Sequence, residues 1–370
     1  MLPETITYIP GSSFNGYSNL KKINTENIEK IGGYVFVNAL DGAALRMPKL
    51  STIEGNQLFY NSGVTILDFR GSTFTNTKDS FAQGATNLHT VYLSDTLTGI
   101  GYSAFQGCTS LSSVNFPSSL TTISNSAFNG CTSLEIEDLA LPNLETIDTF
   151  AFYGVKITKI SNLGKLTSLR DVNWDQSIFG DKTILTSVNL PPTLTSIGNY
   201  VFSGYTALAS VNFPSSLTRI GTSTFNGCTS LVNVTFPASL TTINGTAFSG
   251  CTSLEIEDLS LPNLEVLGNN AFNGVKISKV SNLGKITTIN PNIGDKSVLR
   301  EITLPNTIKT IGNQTFHNCS ALETITIESG ASGISVGNLA FCNLPSSVNF
   351  NVDLGAFVSL GKAAFRGIST

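Results

Sequence analysis

From Cys108 to Cys131 the chain reads CTSLSSVNFPSSLTTISNSAFNGC, and this stretch decides the fold. Val114 and Phe116 alternate with polar Ser113 and Asn115, the period-two signature of a strand with one face buried. Pro117 has no N–H to give to a ladder and closes the strand. Leu120 and Ile123 then return to the core three residues apart, and Ala127-Phe128-Asn129-Gly130 forms a final apolar turn. The pattern L-x-x-V-x-F-P-x-x-L-x-x-I-x-x-x-A-F-x-G-C recurs outward in both directions. Its phenylalanine stands at 14, 36, 59, 81, 105, 128 and 152, then at 179, 202, 225, 248 and 272, and, after Ile293, at 316, 341 and 365. These positions mark about sixteen units of about 23 residues. A unit so short cannot cover its own apolar edge, so neighbours must stack, each strand pairing in parallel with the next about 4.8 Å away. The expectation is a β-rich solenoid with a column of phenylalanine rings, each ring worth about 3–5 kcal/mol against truncation to alanine.

A longer repeat overlies the short one. Residues 131–165 recur nearly unchanged at 251–285, and Gly180-Asp181-Lys182 matches Gly294-Asp295-Lys296 at a smaller offset. The difference lies around Trp174, the single tryptophan. The chain therefore reads as one solenoid domain over 1–370. It has degenerate repeats in 1–100, duplicated five-repeat blocks in 101–220 and 221–336, and terminal repeats in 337–370. The phenylalanine rhythm breaks at 163–182 and 283–296, which are expected to be irregular.

Composition narrows the function. Of the 370 residues 41% are apolar, ample for a core, while only 12% are charged, against roughly 25% in an average domain. The 21 basic and 25 acidic residues leave a net charge of −4. Serine, threonine and asparagine must supply most of the polar surface. Duplex nucleic acid and anionic membranes need clustered cations, so neither is an expected partner. No apolar run reaches the 18 or so residues of a membrane span, and the first residues lack the basic and apolar regions of a signal peptide. Leu2-Pro3-Glu4-Thr5 approaches a sortase signal, but Ile6 stands where glycine is needed. Residues 2–20 and 363–367 both read as repeat, which leads to the expectation of a piece cut from a longer chain.

The unit resembles the leucine-rich repeat in its BspA-like bacterial form, C-x-x-L-x-x-I-x-L-P-x-x-L-x-x-I-x-x-x-A-F, over practically the whole chain. The resemblance implies a right-handed leucine-rich repeat solenoid with a parallel sheet on its concave face and little regular helix. It also implies a cell-surface or secreted protein of a host-associated microbe, with adhesion to other proteins as its role. A matching motif made of core residues transfers the scaffold and not a binding site.

A search for chemistry finds little. The two histidines, His89 and His317, occupy unrelated repeat positions, and no nucleophile elbow, P-loop or zinc-protease motif occurs. No enzymatic activity and no cofactor are expected. Five of the six cysteines sit three residues after the column phenylalanine, at 108, 131, 228, 251 and 319. Val155, Tyr205 and Val275 hold the same position elsewhere, so buried free thiols are expected there rather than zinc ligands or disulfides. Glu135-Ile136-Glu137-Asp138 and its copy at 255–258 read either as a solvated strand edge or as oxygen ligands for calcium. Sequons at Asn233, Asn244, Asn313 and Asn318 follow from a chain rich in asparagine, serine and threonine.

What remains is the outward face of the strands: Thr90, Tyr92, Ser113, Asn115, Ser187, Asn189, Ser210, Asn212, Asn233, Thr235, Glu301, Thr303, Thr324 and Thr326. Short hydroxyls and amides lose little side-chain entropy on contact and both donate and accept hydrogen bonds. The expectation is a non-enzymatic module that binds a host or microbial surface or matrix protein. A glycan reader or a rigid spacer for another domain are the alternatives, the first needing aromatic platforms for which Tyr92 is the clear candidate.

Overall fold

The computed structural model describes residues 2–367; Met1 and the last three residues of the terminal repeats lie outside them. Two sets of residues form compact units, 2–166 with 175–191 and 167–174 with 192–367. Both are wound from the same parallel-strand turn, about fifteen turns of about 23 residues along the chain. Sixteen phenylalanine-position marks bound fifteen such intervals.

Each turn places two short strands, not one. The first carries the V-x-F alternation. In the first unit it forms one parallel ladder from Ala44–Arg46, Ile66–Asp68, Thr90–Tyr92 and Ser113–Asn115, and another that includes Glu135–Ala140, Lys156–Asn162 and Ser187–Asn189. In the second unit Glu255–Ser260, Lys276–Asn282, Glu301–Leu304, Thr324–Ile327 and Asn349–Asn351 form the corresponding ladder. The second strand is only two residues long in most turns, Thr122–Ile123 pairing with Gly99–Ile100 and Thr146–Ile147, and Thr242–Ile243 with Arg219–Ile220 and Val266–Leu267. Its isoleucine is buried and its threonine meets water, so the L-x-x-I segment expected merely to re-enter the core is a second ladder. Two residues are too few to show a period, which is why alternation did not reveal it. The one helical element among the described residues is a 3-10 turn at Leu354–Ala356. The stretches 163–182 and 283–296 are irregular apart from Ser168–Leu169 and Thr288–Ile289. Trp174 is 75% exposed.

The remaining side of the turn is the A-F-x-G segment. Alternate N–H groups there reach the following turn: Ser103 to Asn125 O at 3.0 Å, Phe105 to Ala127 O at 2.8 Å and Gly107 to Asn129 O at 2.7 Å. The residue two before the phenylalanine adopts a left-handed conformation to make this possible, with φ of 51° at Ser103, 59° at Ser126 and 52° at Ser223. That conformation costs a residue bearing a Cβ about 1–2 kcal/mol. Ser103 carries a second cost, because its hydroxyl is buried without a hydrogen-bond partner, worth about 1–3 kcal/mol. Ser103→Gly is therefore expected to stabilise the protein by about 1 kcal/mol after glycine's greater unfolded-state freedom is subtracted. Ser126→Gly should gain less, since it forfeits the hydroxyl's bond to Asn125 Oδ1 at 2.8 Å. Urea midpoints of the two variants against the parent check both, and a loss of stability in Ser103→Gly would contradict the account.

Inside the turn most column phenylalanines stack, while Phe81 meets Phe59 and Phe105 edge-on. Ring centroids of Phe105 and Phe128 lie 5.2 Å apart and those of Phe128 and Phe152 5.3 Å, planes within 11° of parallel. In the second unit Phe202, Phe225, Phe248 and Phe272 continue at 5.4, 5.2 and 5.4 Å. The strand phenylalanines meet this column edge-on or tilted, Phe116 edge-on at 5.4 Å from Phe128 and Phe213 tilted at 5.6 Å from Phe225. Phe69 and Phe213 are buried as the alternation predicts, whereas Phe116 and Phe236 with their neighbours Val114 and Val234 stay half-buried.

All six cysteines are buried and free. The Sγ of Cys131 donates to Phe105 O and that of Cys251 to Phe225 O, both at 3.1 Å, joining each turn to the one before. Burial pushes the thiols of Cys108 and Cys251 up to about 12.

Candidate protein-interaction face

Alternation on the first ladder turns every second side chain outward, and twelve of the fourteen candidate residues occupy those positions, while Asn233 and Thr235 lie outside its strands. None of them is buried. Ser113, Asn115, Asn189, Ser210, Asn212, Asn233, Thr235 and Glu301 are exposed; Thr90, Tyr92, Ser187, Thr303, Thr324 and Thr326 are half-buried. Register lines them up turn by turn, Thr90 with Ser113 and Tyr92 with Asn115 in the first unit, Glu301 with Thr324 and Thr303 with Thr326 in the second. Asn233 meets Ser210 through a single isolated bridge.

Several of these residues are already engaged. Asn115 Oδ1 accepts the N–H of Leu93 at 2.6 Å while its Nδ2 donates to Leu93 O at 3.3 Å. Asn189 Nδ2 donates to Ser161 O at 3.1 Å. These amides stitch one turn to the next, so bulky replacements there would injure the scaffold as well as any contact. Tyr92 has the Arg70 guanidinium over its ring, 4.1 Å from the centroid. One face of the one aromatic among the fourteen is thus covered by a cation.

Charge on this face is arranged across turns. Lys156 pairs with Glu135 at 2.7 Å and Lys159 with Asp138 at 3.3 Å; Lys276 pairs with Glu255 at 2.8 Å and Lys279 with Glu301 at 2.9 Å. The hydrogen bond from Lys156 holds Glu135 below the usual carboxylate range, and that from Lys276 does the same for Glu255. Glu135, Asp138 and Glu255 are therefore cation-paired on edge strands of their sheets. Among the described residues no group of three or more His, Cys, Asp or Glu is placed to hold a metal ion. The pairs were open to sequence reasoning once a register was fixed, because opposite charges recur one turn apart. His89 is exposed, and His317 Nδ1 lies 3.2 Å from Cys342 O. No described helix is long and apolar enough to cross a membrane.

The residue that sequence reasoning missed is Asp68. It is the one charged residue buried among the described residues, at 7% exposure, yet it belongs to the outward row of Ile66–Asp68. Arg70 Nε donates to its Oδ1 at 2.9 Å and Arg70 Nη2 to its Oδ2 at 2.7 Å. Arg46 Nε lies 3.7 Å from the same Oδ2. The Arg70 hydrogen bonds hold the Asp68 carboxyl below the usual range.

Short parallel strands stacked one turn apart around columns of Leu, Ile and Phe, with loop in place of helix, define a leucine-rich repeat solenoid. Within that class the chain belongs to the BspA-type leucine-rich repeat family. The model of the BspA type leucine-rich repeat region matches in six copies, over residues 1–65, 52–177, 172–297 and 295–370. A leucine-rich repeat protein from Bacteroides ovatus shares the fold at 25% identity with a TM-score of 0.54, the match covering 80% of each chain. A leucine-rich cell surface protein from Faecalibacterium prausnitzii is similar at 21% identity over 88% of this chain and 83% of that one, TM-score 0.42. The pneumococcal vaccine antigen PcpA is similar at 20% identity over 89% and 78%, TM-score 0.40. No curated protein matches the chain.

Proposed function

We propose that this chain is a non-enzymatic binding module, secreted or displayed on a cell surface, that adheres to a host or microbial protein through the outward face of its first ladder. The observation that carries this reading is the row of register-matched short polar side chains, none of them buried, on a family scaffold built of core residues. Such a surface offers many adaptable hydrogen-bonding groups at low entropic cost. A sugar-reading role is less favoured, because the Tyr92 ring lies under Arg70.

The test is capture on an array of extracellular-matrix proteins and glycans, with Ser113→Arg in the first unit and Thr303→Arg in the second. Neither side chain stitches turns as Asn115 does, so both variants should keep the parent's melting temperature. Protein capture reduced at least tenfold by one of them is the expected result, in keeping with loss of about 1.4 kcal/mol or more at an interface. Glycan capture instead, or protein capture indifferent to both changes, would overturn the reading.

A further inference from the structure

Arg46, Asp68, Tyr92 and Asn115 lie side by side across four strands, each in register with the next. A carboxylate on a water-facing row is ordinarily exposed. Asp68 is covered instead, because two guanidiniums lie over it and one of them continues across the Tyr92 ring. Arg70 is thereby held on two sides, by a fork of hydrogen bonds to Asp68 and by the aromatic face. Arg70 also keeps its own backbone N–H bonded to Asp68 Oδ1 at 3.0 Å, so the loop that carries it is fixed as well.

A guanidinium has five N–H donors. Asp68 takes two of the Arg70 set, one each from Nε and Nη2, and the Nη1 edge remains for a second anion. The Arg70 side chain is 60% exposed and that of Arg46 57%. Prepositioned forks of this kind match a carboxylate in two-point contact. Exposed Ala44 and Ile66 adjoin them on the same strands, offering apolar contact beside the charge.

We infer that the Arg46–Asp68–Arg70–Tyr92 cluster is an anion-reading subsite of the first-ladder face, built to take a single Glu or Asp carboxylate from an acidic-apolar segment of a partner protein. The inference rests on the protein-binding reading of that face and names the chemistry of what it holds. A polyanion such as a sulfated glycan fits less well. The two arginines are matched by Asp68 and by Glu26, 4.0 Å from Arg46 Nη1, so the cluster carries no net positive charge, and the whole chain is at −4. Asp68 acts as the positioning residue and the two arginines as the contact residues.

The probes are two pools of acetylated, amidated hexapeptides of leucine, serine and glycine, one with a fixed central glutamate and the other with glutamine, together with a sulfated hexasaccharide. The full chain should retain the glutamate pool on the order of tenfold more strongly than the glutamine pool, the size of a lost charge-assisted hydrogen bond. Arg70→Gln and Arg46→Gln should each erode that preference. Arg70→Lys keeps the charge over Asp68 and so keeps the fold, but loses the fork, and it too should weaken glutamate retention. Tyr92→Phe keeps the ring and should retain the preference.

Equal retention of the two pools, a preference unchanged in Arg70→Gln and Arg70→Lys, or stronger retention of the sulfated saccharide would each overturn the inference. Should Ser113→Arg or Thr303→Arg abolish protein capture while Arg70→Lys leaves both capture and pool retention unchanged, the face reading stands and the subsite falls. Glutamate-selective retention with protein capture indifferent to Ser113→Arg and Thr303→Arg would sink the wider reading alone.

Discussion

Phe225→Ala is expected to lower the unfolding free energy by about 3–5 kcal/mol, the cost of deleting a fully buried aromatic ring from a core that cannot close over the gap. Phe225 is fully buried, with Phe202 at 5.4 Å on one side and Phe248 at 5.2 Å on the other, and Phe213 at 5.6 Å. The backbone beneath it is pinned to the next turn, Phe225 N donating to Ala247 O at 2.7 Å. Collapse into the cavity would require that ladder to break. Phe225→Leu keeps most of the volume and should cost far less, about 1 kcal/mol. Phe14→Ala should also cost less, because its ring is only half-buried, with one column neighbour, Phe36 at 5.6 Å, and exposed Tyr17 edge-on at 6.1 Å. Denaturant titration followed by circular dichroism ranks the three. An equal loss at Phe14 and Phe225 would contradict the view that the column's energy comes from rings enclosed on both sides.

Alkaline pH should unfold the protein through its thiols. The unperturbed value is 9.0, and burial raises Cys108 and Cys251 to about 12 and Cys319 to about 11. Above pH 9 the unfolded chain loses these protons while the folded chain holds them, so the folded state binds more protons and stability falls as pH rises. The stabilisation is fully present below 9 and drains away until the folded values are reached. Each buried thiol contributes about 1.4 kcal/mol per pH unit, so between about pH 9 and 10.5 these three together remove several kcal/mol. The check is the urea midpoint across that range for the parent and for Cys251→Val. Valine already fills this position at buried Val155 and Val275, and the variant's decline should be shallower by one proton's worth. An unchanged slope would mean that Cys251 is not protected as its burial requires.

The phenylalanine interval revealed the stacked turn, and Leu, Val and Ile spacing revealed the first ladder, because both are periodic and apolar. Thr122–Ile123 and its equivalents escaped for want of length: one buried residue beside one wet one carries no period. The left-handed residue at Ser103, Ser126 and Ser223 left no mark either, since serine, and elsewhere tyrosine or leucine at Tyr200 and Leu339, stands where glycine or asparagine would have announced it. The outward positions of the candidate face followed from alternation alone. Which of them are engaged did not, for the bonds of Asn115 to Leu93 depend on a register between residues 22 apart. Asp68 was invisible for a related reason. Its burial comes from Arg46 one turn before and Arg70 two residues on, and a lone aspartate in a strand reads as solvated until those side chains are placed.

The bonds that cross from turn to turn, Cys131 Sγ to Phe105 O, Asn115 to Leu93, Thr98 O to the N–H of Thr122, all connect residues one period apart. Such bonds make chain length a quantised variable. Duplication of whole periods, of which 131–165 and its near-copy at 251–285 are an example, gives new junctions that meet the same partners as the old ones. A change of any other size within a strand would slip its register with both neighbours. The six-residue difference around Trp174 was accommodated where no ladder passes. A lineage carrying this protein can thus alter the reach of its polar face by steps of one turn without re-evolving a core.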